Sequence, residues 1–187
     1  MLSYIQGCSE KIGGPNKNVV IDESKFGKRK YGRGHPVKGR WAFGGVQRES
    51  GRTFPVPVPD RIADTLMAVI DAWIEPGTTV ISDCWGAYRN LDTRGYTHRT
   101  VNHSIGFVNH ENDAHTNTIE STWRHVKAYL NPYNRKGNYI YHLAHYMFAA
   151  RCRAEGVDQF TKFLHLVARK DWSQCPPLRI KCRVRSS

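Results

Sequence analysis

At 187 residues the chain is long enough for one compact domain with a core of its own. Lys and Arg number 28 against 16 Asp and Glu, a formal charge of +12, and that excess favours polyanionic partners through phosphate contacts and counterion release. No stretch approaches the roughly 18–20 apolar residues of a membrane span and no charged-then-apolar leader opens the chain, so a soluble intracellular protein is expected. The five cysteines (Cys8, Cys84, Cys152, Cys175 and Cys182) are odd in number and form no CxxC pair. This argues against a disulfide framework and a structural zinc site. His98, His103, His110 and His115 fall in polar sequence and are expected to be solvated or substrate-facing rather than zinc ligands.

Residues 1–17 are poor in apolar side chains, contain GGPNK, and read as a lead-in. NVVIDESKF (18–26) is β-branched and apolar up to Asp22, which predicts a strand with a carboxylate near its end. KFGKRKYGRGHPVKGR (25–40) carries seven basic residues, four glycines and no acid. It reads as a solvated or nuclear-localisation loop, or as one lying along a phosphate backbone. RWAFGGVQRES and GRTFPVPVP predict two strands joined by a turn at Ser50 and Gly51. Pro55, Pro57 and Pro59 recur at every second residue, so their missing N–H groups share one side, and the strand is expected at a sheet edge.

Asp60 is placed to cap a helix whose apolar residues Ile62, Leu66, Val69, Ile70, Trp73 and Ile74 keep helical spacing. TTVISD (78–83) predicts a buried strand ending at Asp83, followed by a short helix over 85–92 and a strand over 96–102. HTNTIESTWRHVK (115–127) opens a helix ending near Asn131-Pro132. Two more helices are expected over about 138–155 and 157–170, then an irregular basic tail over 171–187. Strands alternating with helices predict an α/β layer structure. A three-strand meander followed by crossover units fits a ribonuclease H-like fold, a five-stranded mixed sheet flanked by helices.

Asp22, Asp83 and Glu120 would then come from three elements of that fold. Grouped carboxylates suit Mg²⁺, which takes oxygen ligands, and a pair of ions about 3.5–4 Å apart can activate a nucleophile and stabilise a leaving oxygen. Without cations such carboxylates repel one another and one tends to hold a proton. Asn117-x-x-Glu120 also resembles a capping box that merely closes a helix start. Glu23 competes with Asp22, but alternation along a strand puts the two on opposite faces.

VVIDESKFGKRKYGRG, GRWAFGGVQRESG, VISDCWGAY and HTNTIESTWRHVK, in that order, resemble the core of Merlin-type DDE transposases and their bacterial insertion-sequence relatives, of the ribonuclease H-like superfamily. The similarity covers about residues 12–130, and 36 residues separate Asp83 from Glu120, as in many such enzymes. The resemblance implies a catalytic domain over 18–170, with Asp22, Asp83 and Glu120 as catalytic residues and ligands of two Mg²⁺ ions (or Mn²⁺). Some bacterial relatives carry Asn as the third residue, which makes Asn117 the alternative ligand. An ionised carboxylate binds Mg²⁺ better than an amide, and Glu120, Arg124 and Lys127 share a helix face, which favours Glu120. Lys28, Arg29, Lys30, Arg33, Lys38, Arg40, Arg124 and Lys127 are the expected DNA contacts. Trp41, Trp85 and Trp123 are expected in the core rather than stacked on bases.

The implied function is metal-dependent hydrolysis of a phosphodiester at a transposon end, followed by strand transfer into target DNA. The expected partner is DNA, bound as a homodimer or higher oligomer. The compartment is the nucleus in a eukaryote and otherwise the cytoplasm. Family members normally carry an N-terminal recognition module, but barely twenty residues precede the first catalytic strand, as in a fragment, a decayed copy or a host-adopted gene. The alternatives are a transposase-derived DNA-binding protein that does not cut, and a ribonuclease H-like nuclease acting on RNA or hybrid strands.

Overall fold

The computed structural model describes residues 10–27, 39–83, 85–101, 108–109, 114–115, 117–130 and 139–169. Its centre is a five-stranded sheet. A first short strand, β1 (Ile12–Gly13), precedes the antiparallel meander β2 (Asn18–Phe26), β3 (Arg40–Gln47) and β4 (Thr53–Val58). Helix α1 (Ala63–Trp73) then leads through β5 (Ile74–Glu75) to β6 (Thr79–Asp83), which runs parallel to β2. β7 (Thr97–Val101) runs parallel to β6, so the order across the sheet is β4-β3-β2-β6-β7. A small hairpin, β8 (Val108–Asn109) with β9 (Ala114–His115), precedes the helices α2 (Asn117–Tyr129), α3 (Tyr139–Glu155) and α4 (Gln159–Arg169). A meander followed by two parallel crossovers, with the first long strand in the middle, is the ribonuclease H-like arrangement expected from the sequence.

Each face of the sheet is apolar, so each must be covered. Val19, Ile21, Phe43, Phe54 and Val80 pack under α1 against Leu66, Met67 and Ile70. Val20, Ala42, Val46, Ile81 and Val101 face the other way, onto Ile119, Trp123 and Val126 of α2 and Tyr139 and Leu143 of α3. The two-residue alternation of β2 thus feeds both cores. β4 is an edge strand, as the prolines require, and α3 lies against it. Cover by a helix and absence of donors both protect a sheet border.

Several details depart from expectation. β2 fills the whole predicted stretch 18–26, but Asp22 falls in its middle rather than near its end, because Ser24 and Phe26 are buried and the strand stays paired with β3 as far as Arg40. Asp60 does not cap α1. It accepts a hydrogen bond from the Ile62 N–H at 3.2 Å and so forms a turn ahead of the helix, whose cap residue is Ile62. The helix expected over 85–92 is replaced by two 3₁₀ turns, Gly86–Tyr88 and Asp92–Arg94. Tyr88 and Leu91, three apart and both buried, suit that tighter winding. His98 lies in β7, half-buried, with Nε2 2.8 Å from Ser82 Oγ.

Within the stretch read as a lead-in, Ile12 is buried and β1 pairs with β5 at the end of the sheet where β2 and β6 begin. Backbone bonds from Thr79 N–H to Lys17 O (2.9 Å) and from Gly77 N–H to Gly95 O (2.8 Å) stitch that end together. The Gly14 N–H donates to Thr78 Oγ1 at 2.8 Å. Gly13, at φ +97°, lies so close to Thr78 that a side chain there would collide with it. Among the described residues no helix is long and apolar enough to cross a membrane. Truncating fully buried Ile70 to Ala is expected to cost about 2–5 kcal/mol in urea unfolding, whereas Ile62→Ala, at a residue 58% exposed, should shift the midpoint little.

Candidate active site

The parallel register of β2 and β6 pairs Val19 with Val80 and Val20 with Ile81. Val20 and Ile81 both face α2. Two residues further along each strand, Asp22 and Asp83 therefore share that face, just past the last paired positions. There β2 continues beside β3 while β6 ends, at the carboxyl end of the parallel pair, the usual place for a ligand in an open sheet of this kind. Helix α2 crosses the same face, with half-buried Glu120 in its first turn. Trp123, one turn later, donates from Nε1 to Asp22 Oδ2 at 3.1 Å. Asp83 accepts the Trp85 backbone N–H on Oδ1 at 3.1 Å.

Burial pushes the Asp22 carboxyl up from its ordinary 3.8 to about 6. The negative charges of Asp83 and Glu120 add to the rise, against the Glu23 backbone N–H and the Trp123 indole, which favour the ionised form. Both other carboxylates thus make themselves felt at Asp22. Glu23 is driven up to about 7, again by burial first and then by Asp22 and Asp83, with Arg61 opposing. Its side chain sits on the α1 face, where it accepts the Tyr88 hydroxyl and lies 4.0 Å from an Arg61 nitrogen. Alternation therefore separates the two neighbours, as the sequence implied.

Asn117, the first residue of α2, is exposed and lies inside the helix rather than ahead of it. Arg124 is exposed on the same helix, and the Lys127 ammonium stands 5.6 Å from the centre of the Phe26 ring. Arg40 is exposed at the start of β3. Lys28, Arg29, Lys30, Arg33 and Lys38 lie outside the described residues, as does the basic tail.

How Asp22 is held was missed in the sequence reading. Gly44 of β3 is its cross-strand partner. A Cβ on Gly44 would come within 2.9 Å of Trp123 Cη2, so the missing side chain is what lets the indole lie over the strand and reach Asp22. Adjacent glycines inside a strand pattern mark such close approaches; Gly44-Gly45 was that signal. Among the described residues no three His, Cys, Asp or Glu side chains form a ready-made metal cluster. The donor set at this end of the sheet is nonetheless all hard carboxylate oxygen with excess negative charge, which fits Mg²⁺ or Mn²⁺ and not a thiolate-loving metal.

The ribonuclease H-like sheet thus carries Asp22 within one central strand and Asp83 at the end of the neighbouring one. The chain belongs to the ISXO2-like transposase domain family, whose model matches residues 12–153. It is 31% identical over 83 residues to an uncharacterized transposase-like protein of Haemophilus influenzae, a match covering 44% of this chain and 66% of that protein, just under two thirds of its length. Similar solved structures include the HTLV-2 integrase catalytic core domain in complex with magnesium. Its dimeric form shows 15% identity over 64% of this chain and 72% of that one (TM-score 0.42). Its trimeric form shows 13% identity over 72% and 84% (TM-score 0.48). The simian T-cell lymphotropic virus intasome in complex with the PP2A regulatory subunit B56 gamma shows 16% identity over 75% of this chain and 50% of that one, with a TM-score of 0.48.

Two outcomes follow from this geometry. Because Asp22 and Glu23 both hold protons more tightly folded than unfolded, the folded state binds more protons between their ordinary values, 3.8 and 4.5, and about 6 and 7. Their contribution to stability is complete below that window and is lost as pH rises through it. Metal-free protein is therefore expected to melt a few degrees lower at pH about 8 than at about 5, with a shallower slope in Asp22→Asn, as read by calorimetry. Gly44→Ala should cost about 1–3 kcal/mol of stability by overpacking against Trp123 and should weaken any activity that depends on Asp22.

Proposed function

We propose that this chain is the catalytic domain of a DNA transposase, cutting a phosphodiester at a transposon end and joining the freed 3′-hydroxyl to target DNA. The observation that supports the reading best is that Asp22 and Asp83 lie on the same face of neighbouring parallel strands, with Glu120 in the first turn of the helix packed on that face. Family membership supports it.

Asp22, Asp83 and Glu120 would hold two Mg²⁺ or Mn²⁺ ions; when bound, these would make the attacking hydroxyl more acidic and offset charge on the departing oxygen. The chain's own part is to keep the carboxylates ionised and aimed. The Glu23 backbone N–H and the Trp123 indole favour the charged form of Asp22, and the Trp85 N–H orients Asp83. Glu120 is favoured over Asn117 as the third ligand because Glu120 is half-buried and acts on Asp22, whereas Asn117 is exposed. Arg40, Arg124 and Lys127, with Lys28, Arg29, Lys30, Arg33 and Lys38, supply positive charge for the DNA backbone. Two copies joined on DNA would hold the two ends together.

Labelled duplexes with transposon-end, nicked and hybrid structure, incubated with Mg²⁺ or Mn²⁺, test the reading. Strand cleavage is expected from the wild type, reduced roughly a hundred-fold or more by Asp83→Asn or Glu120→Gln and within a few-fold of normal in Asn117→Ala. Cleavage that survives Asp83→Asn would refute the assignment. Salt-sensitive binding with no cleavage by the wild type in either metal would leave a DNA-binding protein.

A further inference from the structure

On the α1 face of the sheet, opposite Asp22, aromatic and cationic side chains form a stack that the carboxylate chemistry does not use. The Arg61 guanidinium carbon lies 4.1 Å from the centre of the Trp41 ring and 5.1 Å from that of Trp85. Arg61 is held from below by Glu23 at 4.0 Å, and Glu23, only 6% exposed, is itself held by the Tyr88 hydroxyl. The Lys25 ammonium adds a second cation 5.3 Å from the Trp41 ring centre. The core expectation holds for buried Trp123, and Trp41 is half-buried, but Trp85 leaves 45% of its surface to solvent.

That exposure is costly for an indole, the largest apolar side chain, unless something covers it. Trp85 is also not free to drift. Its backbone N–H is bonded to the Asp83 carboxylate, and a guanidinium stands beside its ring. An exposed flat ring next to an acidic residue, with Arg61 beside it and Lys25 over the neighbouring Trp41 ring, has the composition of a single-strand binding platform: a π-face for a base and cations for its phosphate. A paired base inside a duplex shows only its edges in the grooves. An unpaired or splayed nucleotide can offer its face, so the occupant that fits is an unpaired DNA nucleotide.

We propose that Trp85, backed by Arg61 and Trp41, is a stacking platform for an unpaired nucleotide adjoining the phosphodiester presented to Asp83. The inference rests on the DNA-acting reading above, and it adds a specificity: ends with an unpaired nucleotide are preferred over fully paired ones. The platform would favour a frayed or tailed end and help hold it beside Asp83.

Binding is measured with chelator present, so that it is read apart from cutting. The full chain is titrated into a blunt duplex and into the same duplex carrying a short single-stranded DNA tail, followed by fluorescence anisotropy. A 2-aminopurine in the tail reports stacking directly. The wild type is expected to prefer the tailed DNA roughly ten-fold and to quench the 2-aminopurine. Trp85→Ala should lose both the preference and the quenching while binding the blunt duplex as before, and Trp85→Phe should keep most of each. Equal affinity of the wild type for tailed and blunt DNA, or undiminished quenching in Trp85→Ala, overturns the platform and leaves the transposase reading standing. A wild type that binds neither DNA overturns both.

Discussion

The site depends on the parallel pairing of β2 with β6. Three paired positions, Asn18 with Thr79 through Val20 with Ile81, set the phase of both strands, and the two-residue period of a strand does the rest. Slipping either strand by one residue would turn its carboxylate onto the α1 face and bury an apolar residue in its place. Register is therefore guarded by every apolar side chain on both faces of β2. The cost of moving Val19, Val20 or Ile21 out of the core is what fixes where Asp22 points.

The second constraint is the attachment of α2 to that frame. Ile119, Trp123 and Val126 pack on the sheet, and Trp123 also bonds Asp22. One residue thus joins packing to chemistry: its ring fills the space above Gly44 while its N–H favours the ionised form of a carboxylate whose hold on its proton burial strengthens. Glu120, one turn earlier, lies on the helix that the same docking lays across the face of Asp22 and Asp83.

The fold was legible wherever a periodic pattern met a backbone rule. Alternating prolines marked the edge strand, Val-Val-Ile the central one, and apolar residues three and four apart the helices. The separation of Asp22 from Glu23 followed from alternation alone. Local geometry was less legible where tertiary contacts override local preference. Asp60 could have capped a helix and instead shapes a turn, and the run after Asp83 was wound into 3₁₀ turns to bury Tyr88 and Leu91. β1 was invisible because two residues carry no period. The Trp123–Asp22 bond spans 101 positions, and the glycine pair Gly44-Gly45 marked a close approach without naming the residue that makes it. Exposed Trp85 ran against the usual burial of tryptophan, a mismatch that draws attention to its surface.

The stitching of β1 to β5 gives the two ends of the sheet different duties. At the end where β2 and β6 begin, backbone bonds and the fit of Gly13 against Thr78 leave little slack. At the other, the pairing of the same strands ends at Val20 and Ile81, and Asp22 and Asp83 follow just beyond it. Substitutions near the first end should register as failures of folding, and those near the second as failures of chemistry in a protein that still folds. Drift under natural selection can therefore reshape what the open pole handles without unlatching the pole that keeps the chain together.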